Sequence, residues 1–149
     1  MRLALYQPDQ AGNVGAILRL AACLGVPVDI VEPCGFAFSD RALKRAGMDY
    51  AELADVVRHS GWDDFLRAAA GRLVLLTTAG DVNLHDARFA PDDILLFGSE
   101  SRGAPPEVHE AAALRIRIPQ APGTRSLNLA AAASISLAEA LRQTNQWPR

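Results

Sequence analysis

Short apolar runs separated by helical stretches constrain this chain more than any other feature. Residues 73–77 and 94–97 are apolar at nearly every position and read as buried strands. Residues 2–6, 27–31, 56–59 and 114–118 read as further strands. Between them lie helical patterns. Residues 13–24 form one, with Asn13 as a candidate N-cap and Gly25 as its stop. Ser39 opens a short amphipathic helix that Gly47 closes, and residues 61–70 suit a third helix with Asp63 and Asp64 in its first turn. Residues 105–113 follow a proline start, and residues 127–143 form the closing helix. Alternation of this kind predicts an α/β fold, a mostly parallel sheet with helices on both faces, and residues 1–149 as a single domain.

The closing helix carries Leu129, Ala130, Ala131, Ala132, Ala133, Ile135, Leu137, Ala138 and Leu141, so its first three turns have little polar surface. A helix apolar on most sides is buried inside a domain or between chains, and in 149 residues a dimer interface is the natural reading.

Cys23 and Cys34 are too few for a disulfide framework, and neither sits in a CxxC pair. Cys23, among apolar neighbours on a helix, reads as a packing residue. His59, His85 and His109 lack metal-ligand spacing, so no metal is expected. No apolar run approaches the roughly 20 residues of a membrane span, and the start shows no signal-peptide pattern, so a cytoplasmic protein is expected. Net charge is −2, which alone argues against a general nucleic-acid binder. The distribution softens that objection: Arg41, Lys44 and Arg45 cluster on one segment, and Arg102, Arg115, Arg117 and Arg125 gather near two unusual loops. A local basic face can bind phosphate while the rest of the surface stays acidic.

Those loops are Phe97-Gly98-Ser99-Glu100-Ser101-Arg102-Gly103 and the segment from Ile118 through Ser126 and Leu127 to Asn128. Each begins where a strand ends, which is where open α/β sheets bind ligands. Asn13-Val14-Gly15, with Arg19 further along the same helix, occupies the equivalent place after the first strand. No GxGxxG follows that strand, and no Walker lysine motif is present, so the usual phosphate cradles are missing.

This trio, in this order, resembles the SPOUT class of RNA 2′-O-ribose methyltransferases, and within it the tRNA (cytidine/uridine-34) 2′-O-methyltransferase group. The resemblance runs from Leu5-Tyr6-Gln7-Pro8 to Glu139-Ala140-Leu141-Arg142-Gln143. It includes Ile30-Val31-Glu32-Pro33, Gly35-Phe36 and Arg45-Ala46-Gly47-Met48-Asp49-Tyr50. It implies a C-terminal trefoil knot, with the chain after residues 94–97 threaded through a loop. It also implies a homodimer joined through the closing helix, an anticodon stem-loop of tRNA as substrate, and S-adenosylmethionine held in a bent form. The cofactor-binding residues would be Leu76, Thr77, Gly98, Ile118, Ser126 and Leu127, with Thr78 and Phe97 beside them. The catalytic residues would be Asn13, Arg19, Glu100, Ser126 and Asn128.

A ribose hydroxyl is a poor nucleophile, so such a site has to orient it and assist its deprotonation. Arginine is almost never deprotonated in proteins. Arg19 is therefore expected to hold an RNA phosphate or stabilise the developing alkoxide rather than act as the base. Glu100 is expected to orient Arg19 or Asn13 through charge-assisted hydrogen bonds. Ser126 or Asn128 can also cap the closing helix. Ala16 and Ser99 depart from the wobble group, where asparagine and proline are frequent, and this leaves a methylase of another tRNA or rRNA nucleotide as an alternative. A catalytically silent RNA-binding module and an unrelated metabolic α/β enzyme are the rivals from other classes.

Overall fold

A computed structural model describes residues 1–37, 39, 41–42 and 54–149. The helix expected to close at Gly47, and Lys44 and Arg45 with it, lie largely outside the described residues. At the start of that helix the Ser39 hydroxyl accepts the Ala42 N–H at 3.2 Å.

In chain order the elements are β1 (Arg2–Tyr6), α1 (Ala11–Leu24), β2 (Val28–Val31), β3 (Val56–His59), α2 (Trp62–Ala68), β4 (Leu73–Leu76), β5 (Val82–Asn83), a 3-10 turn (Leu84–Asp86), β6 (Ile94–Phe97), α3 (Pro106–Ala111), β7 (Leu114–Arg117) and α4 (Leu129–Thr144). The strands form one sheet in the order β3-β2-β1-β6-β4-β7-β5, and every neighbouring pair is parallel. Side chains alternate across it as a pleat requires. Leu3, Leu5, Leu95 and Phe97 pack with Ile17 and Leu18 of α1 and Leu137 of α4. Ala4, Tyr6, Leu75 and Leu96 pack on the opposite face with Phe65 of α2 and Val108 of α3.

Both expected features of a buried parallel sheet are present: apolar runs in the middle strands and helices on each face. Gly25 ends α1 in the left-handed region (φ 65°), and its N–H reaches the carbonyls of Ala21 and Ala22. Three details correct the sequence reading. Asn13 is no N-cap: α1 opens at Ala11 after Gln10, and Asn13 is its third residue, in the first turn, with its side chain buried. Cys23 is exposed, because it lies on the side of α1 away from the sheet. Val82-Asn83 adds an edge strand to the six read from the sequence, since two residues leave no periodic signal.

β7 lies between β4 and β5, so the connector of residues 77–81 has to cross it. Thr77 N–H donates to the Ile116 carbonyl at 2.8 Å and Asp81 N–H to that of Arg115 at 3.1 Å. Gly80 passes so close that a Cβ there would stand 2.4 Å from the Ile116 carbonyl carbon. Only a residue without a side chain fits this crossing.

Candidate active site

The sheet register brings the strand-end loops together. Leu5 pairs with Phe97, Phe97 with Leu76, and Leu76 with Ile116, so four adjacent strands finish at about the same level. Their loops enclose a cavity of about 450 Å³, within the usual range for small-molecule sites. Leu76, Thr77 and Thr78 line it after β4, and Phe97, Gly98 and Glu100 after β6. Ile118, Ser126, Leu127 and Asn128 line it after β7, and Gln10 and Asn13 from the start of α1.

The loop after β6 is built around two glycines. Gly103 takes φ +67°, and a Cβ on Gly98 would lie 2.4 Å from the Gly103 carbonyl carbon. Ser99 N–H donates to the Gly103 carbonyl at 3.1 Å and Gly103 N–H returns the bond to Ser99 at 2.8 Å. The loop closes on itself, and Glu100 stands in its turn.

A directional hydrogen-bond chain joins the three motifs. Glu100 Oε2 accepts the Asp9 backbone N–H at 2.8 Å, and Oε1 accepts Asn13 Nδ2 at 3.3 Å. Asn13 Nδ2 also donates to Gln10 Oε1 at 3.1 Å. Asn13 Oδ1 accepts Asn128 Nδ2 at 2.8 Å, and Asn128 Oδ1 caps α4 by accepting Ala130 N–H at 2.9 Å and Ala131 N–H at 3.3 Å. A carboxylate accepts only and a backbone N–H donates only, so the two ends of this chain set the orientation of both amides. Asn128, not Ser126, is the cap of α4, and the same side chain serves the network.

All the expected cofactor-binding residues, Leu76, Thr77, Gly98, Ile118, Ser126 and Leu127, line this one cavity. Asn13, Glu100, Ser126 and Asn128 line it too. Arg19 does not. It is exposed on α1, six residues past Asn13 and therefore about 240° further round the helix at 3.6 residues per turn. Asp9 and Gln10 were missed. Their position in a strand-end loop was visible, but the partners of Asp9 lie across the fold, and Gln10 meets Asn13 only once α1 has formed.

The lining fits the apolar and polar parts of an adenosine-like ligand. Leu76, Ile116, Ile118, Leu127 and Leu129 supply apolar wall, Gly98 allows close backbone approach, and the β7–α4 loop supplies backbone polar groups.

Solved structures of similar shape define the class. One, reported as structural insights into the 2-OH methylation of C/U34 on tRNA, is 42% identical and superposes with a TM-score of 0.89 over 95% of this chain and 94% of its own. Another, an AdoMet-bound rRNA methyltransferase from Sinorhizobium meliloti, is 34% identical with a TM-score of 0.84 over 95% of this chain and 55% of its own. The fold is that of the SPOUT RNA methyltransferases. The chain belongs to the SpoU rRNA methylase family, whose profile matches residues 1–138. Among its relatives is a tRNA (cytidine(34)-2'-O)-methyltransferase from Ancylobacter novellus, 47% identical over 152 residues spanning 100% of this chain and 96% of that protein.

Proposed function

We propose that this chain, as one methyltransferase domain over residues 1–149 with a knotted C-terminus, methylates the ribose 2′-hydroxyl of cytidine or uridine 34 in tRNA, using S-adenosylmethionine. The observation that carries the reading is the convergence of Asn13, Glu100, Ser126 and Asn128 on the cavity lined by Leu76, Thr77, Gly98, Ile118 and Leu127. The full-length likeness to wobble methyltransferases supplies the substrate.

When bound, S-adenosylmethionine supplies an electrophilic methyl group. The chain's task is to bring a weak nucleophile up to it in line and to handle the proton. The Glu100–Asn13–Asn128 network holds amide and carboxylate groups in one fixed orientation at the cavity, so little reorganisation remains at the moment of reaction. Arg19 steers an RNA phosphate or stabilises the alkoxide. Because it lies off this chain's own cavity, its role calls for a second copy. A homodimer through α4 is supported by the open side of that helix, where Ile135 is 44% exposed, and by Leu127 just ahead of it, 38% exposed. Arg102 and Arg125, exposed beside the cavity, suit the backbone of an anticodon stem-loop. The reaction belongs in the cytoplasm with its tRNA.

The test is transfer of labelled methyl from S-adenosylmethionine to unmodified total tRNA, with digestion and mass spectrometry of the nucleosides. The expected product is 2′-O-methylcytidine or 2′-O-methyluridine at position 34, lost in Arg19→Ala and Glu100→Ala. The family description favours a second reading, an rRNA target, and methylation of rRNA but not tRNA would replace the first with it.

A further inference from the structure

We propose that Asp9 is a positioning residue that clasps the loop after β6 and thereby holds Glu100 in its reactive orientation, an inference that rests on the methyl-transfer reading above. One residue grips two consecutive residues of that loop. The Asp9 backbone N–H donates to Glu100 Oε2 at 2.8 Å. The Asp9 carboxylate accepts the Ser101 backbone N–H at 3.2 Å and, through the same Oδ2, the Ser101 hydroxyl. The partners are 91 and 92 residues apart, so the clasp joins the β1–α1 loop to the β6–α3 loop.

Asp9 is itself held from behind. Gly35 N–H donates to the Pro8 carbonyl at 2.9 Å, and a Cβ on Gly35 would stand 2.5 Å from Asp9 Cβ. The Ser101 hydroxyl, with smaller contributions that include the Arg102 charge, keeps the Asp9 carboxyl below the usual carboxylate range, so it accepts both bonds throughout neutral pH. Asp9 does not line the cavity. It acts through Glu100.

The loop after β6 is closed internally by its Ser99–Gly103 bonds. Those bonds shape the turn but do not aim its tip at Asn13. The clasp sets that aim, and Asn13 then receives a carboxylate already in place for its amide.

The test combines steady-state methyl transfer with hydrogen exchange of the loop in the full chain. Asp9→Ala removes the carboxylate and keeps the backbone donor. Loss of hydrogen bonds to a charged group is expected to speed exchange at Ser101 and Gly103 by about fivefold or more and to lower kcat about tenfold. KM for tRNA and the affinity for S-adenosylmethionine are expected to stay within about twofold, since the binding surfaces are untouched. Asp9→Asn keeps an acceptor for the Ser101 N–H and should restore most of both effects. Ser101→Ala, at an exposed position, reads the clasp from its other side and should add nothing in the Asp9→Ala background.

Unchanged loop exchange in Asp9→Ala overturns the proposal. So does a loosened loop with wild-type kcat, or a loss of cofactor affinity as large as the loss of kcat. If the unaltered chain transfers no methyl group, the methyl-transfer reading fails by itself, and the exchange at Ser101 still decides the clasp.

Discussion

At the amino ends of the strands, Asp93 is completely buried, yet Arg72 donates to it through Nε and Nη2, both at 2.8 Å, and Ala90 N–H at 2.8 Å. Nearby, Asp29 accepts Arg2 Nε at 2.7 Å and His59 Nε2 at 2.8 Å. A cavity of about 420 Å³ opens beside that cluster, nearly the volume of the one at the carboxyl ends. The two ends thus match in empty space, and the amino ends hold the more deeply buried charge, since Glu100 is only half-buried. They differ in what the polar groups are committed to. Arg2, Asp29 and His59 satisfy one another, and the rest of their cavity is largely Val57, Phe65, Ala68, Ala69, Ala70 and Ile94. Glu100, Asn13 and Asn128 are tied in sequence across three loops while also lining a cavity floored by strand-end backbone. Neither volume nor buried charge marks a site; a network that links separate loops around shared space does.

Helix α4 spans both regions, with Asn128 at one end and, at the other, Gln143 donating to the Ala87 carbonyl at 3.0 Å and accepting Phe89 N–H at 3.1 Å. The comparison can therefore be broken by substitutions at each end. Glu100→Ala should lower methyl transfer by about 10²–10³ while the thermal midpoint stays close to wild type, the usual scale for losing a preorganised polar group. A fall in stability that matches the fall in activity would erase the distinction. Asp93→Ala should do the reverse. It breaks a buried, doubly bonded pair, but Arg72 can turn to water. The expected cost is about 2–3 kcal/mol in urea unfolding, with activity per folded molecule unchanged.

Asn128 sharpens the contrast because it serves structure and site at once. Asn128→Ala should cost about 1 kcal/mol as a lost cap. Asn128→Asp keeps an acceptor for Ala130 and Ala131 but loses the donor to Asn13, so stability should hold while transfer falls about tenfold. The smallest effect belongs to Glu139, which Arg142 first and Gln143 second pull down to about 2. A carboxyl lowered on folding stabilises above its unfolded value and loses that contribution as pH falls through the folded one. Acid unfolding of wild type should therefore steepen between about pH 4.3 and 2, and Glu139→Gln should flatten that stretch alone.

Much of the frame was legible without coordinates. Residues 94–97 form the strand their apolar run indicates, Gly25 stops α1, and the three strand-end loops do share one cavity. Other parts were hidden for physical reasons. Asn13 has the chemistry of a cap, and only packing of α1 on the sheet turns it inward. Cys23 sits among apolar neighbours in sequence, but helical rotation carries it to the outside. Arg19 follows Asn13 closely along the chain and still points off the cavity.

The sequence by itself determined what depends on neighbours along the chain. Strand runs, helix stops and the glycines that loops need all follow from burial pattern and backbone preference over a few residues. Tertiary structure alone decided which distant groups meet. The β7 strand running between β4 and β5, the Asp9–Ser101 clasp and the Asn13–Asn128 bond join residues 34 to 115 positions apart. No local propensity encodes such pairs, because their geometry exists only once the whole sheet has taken its order.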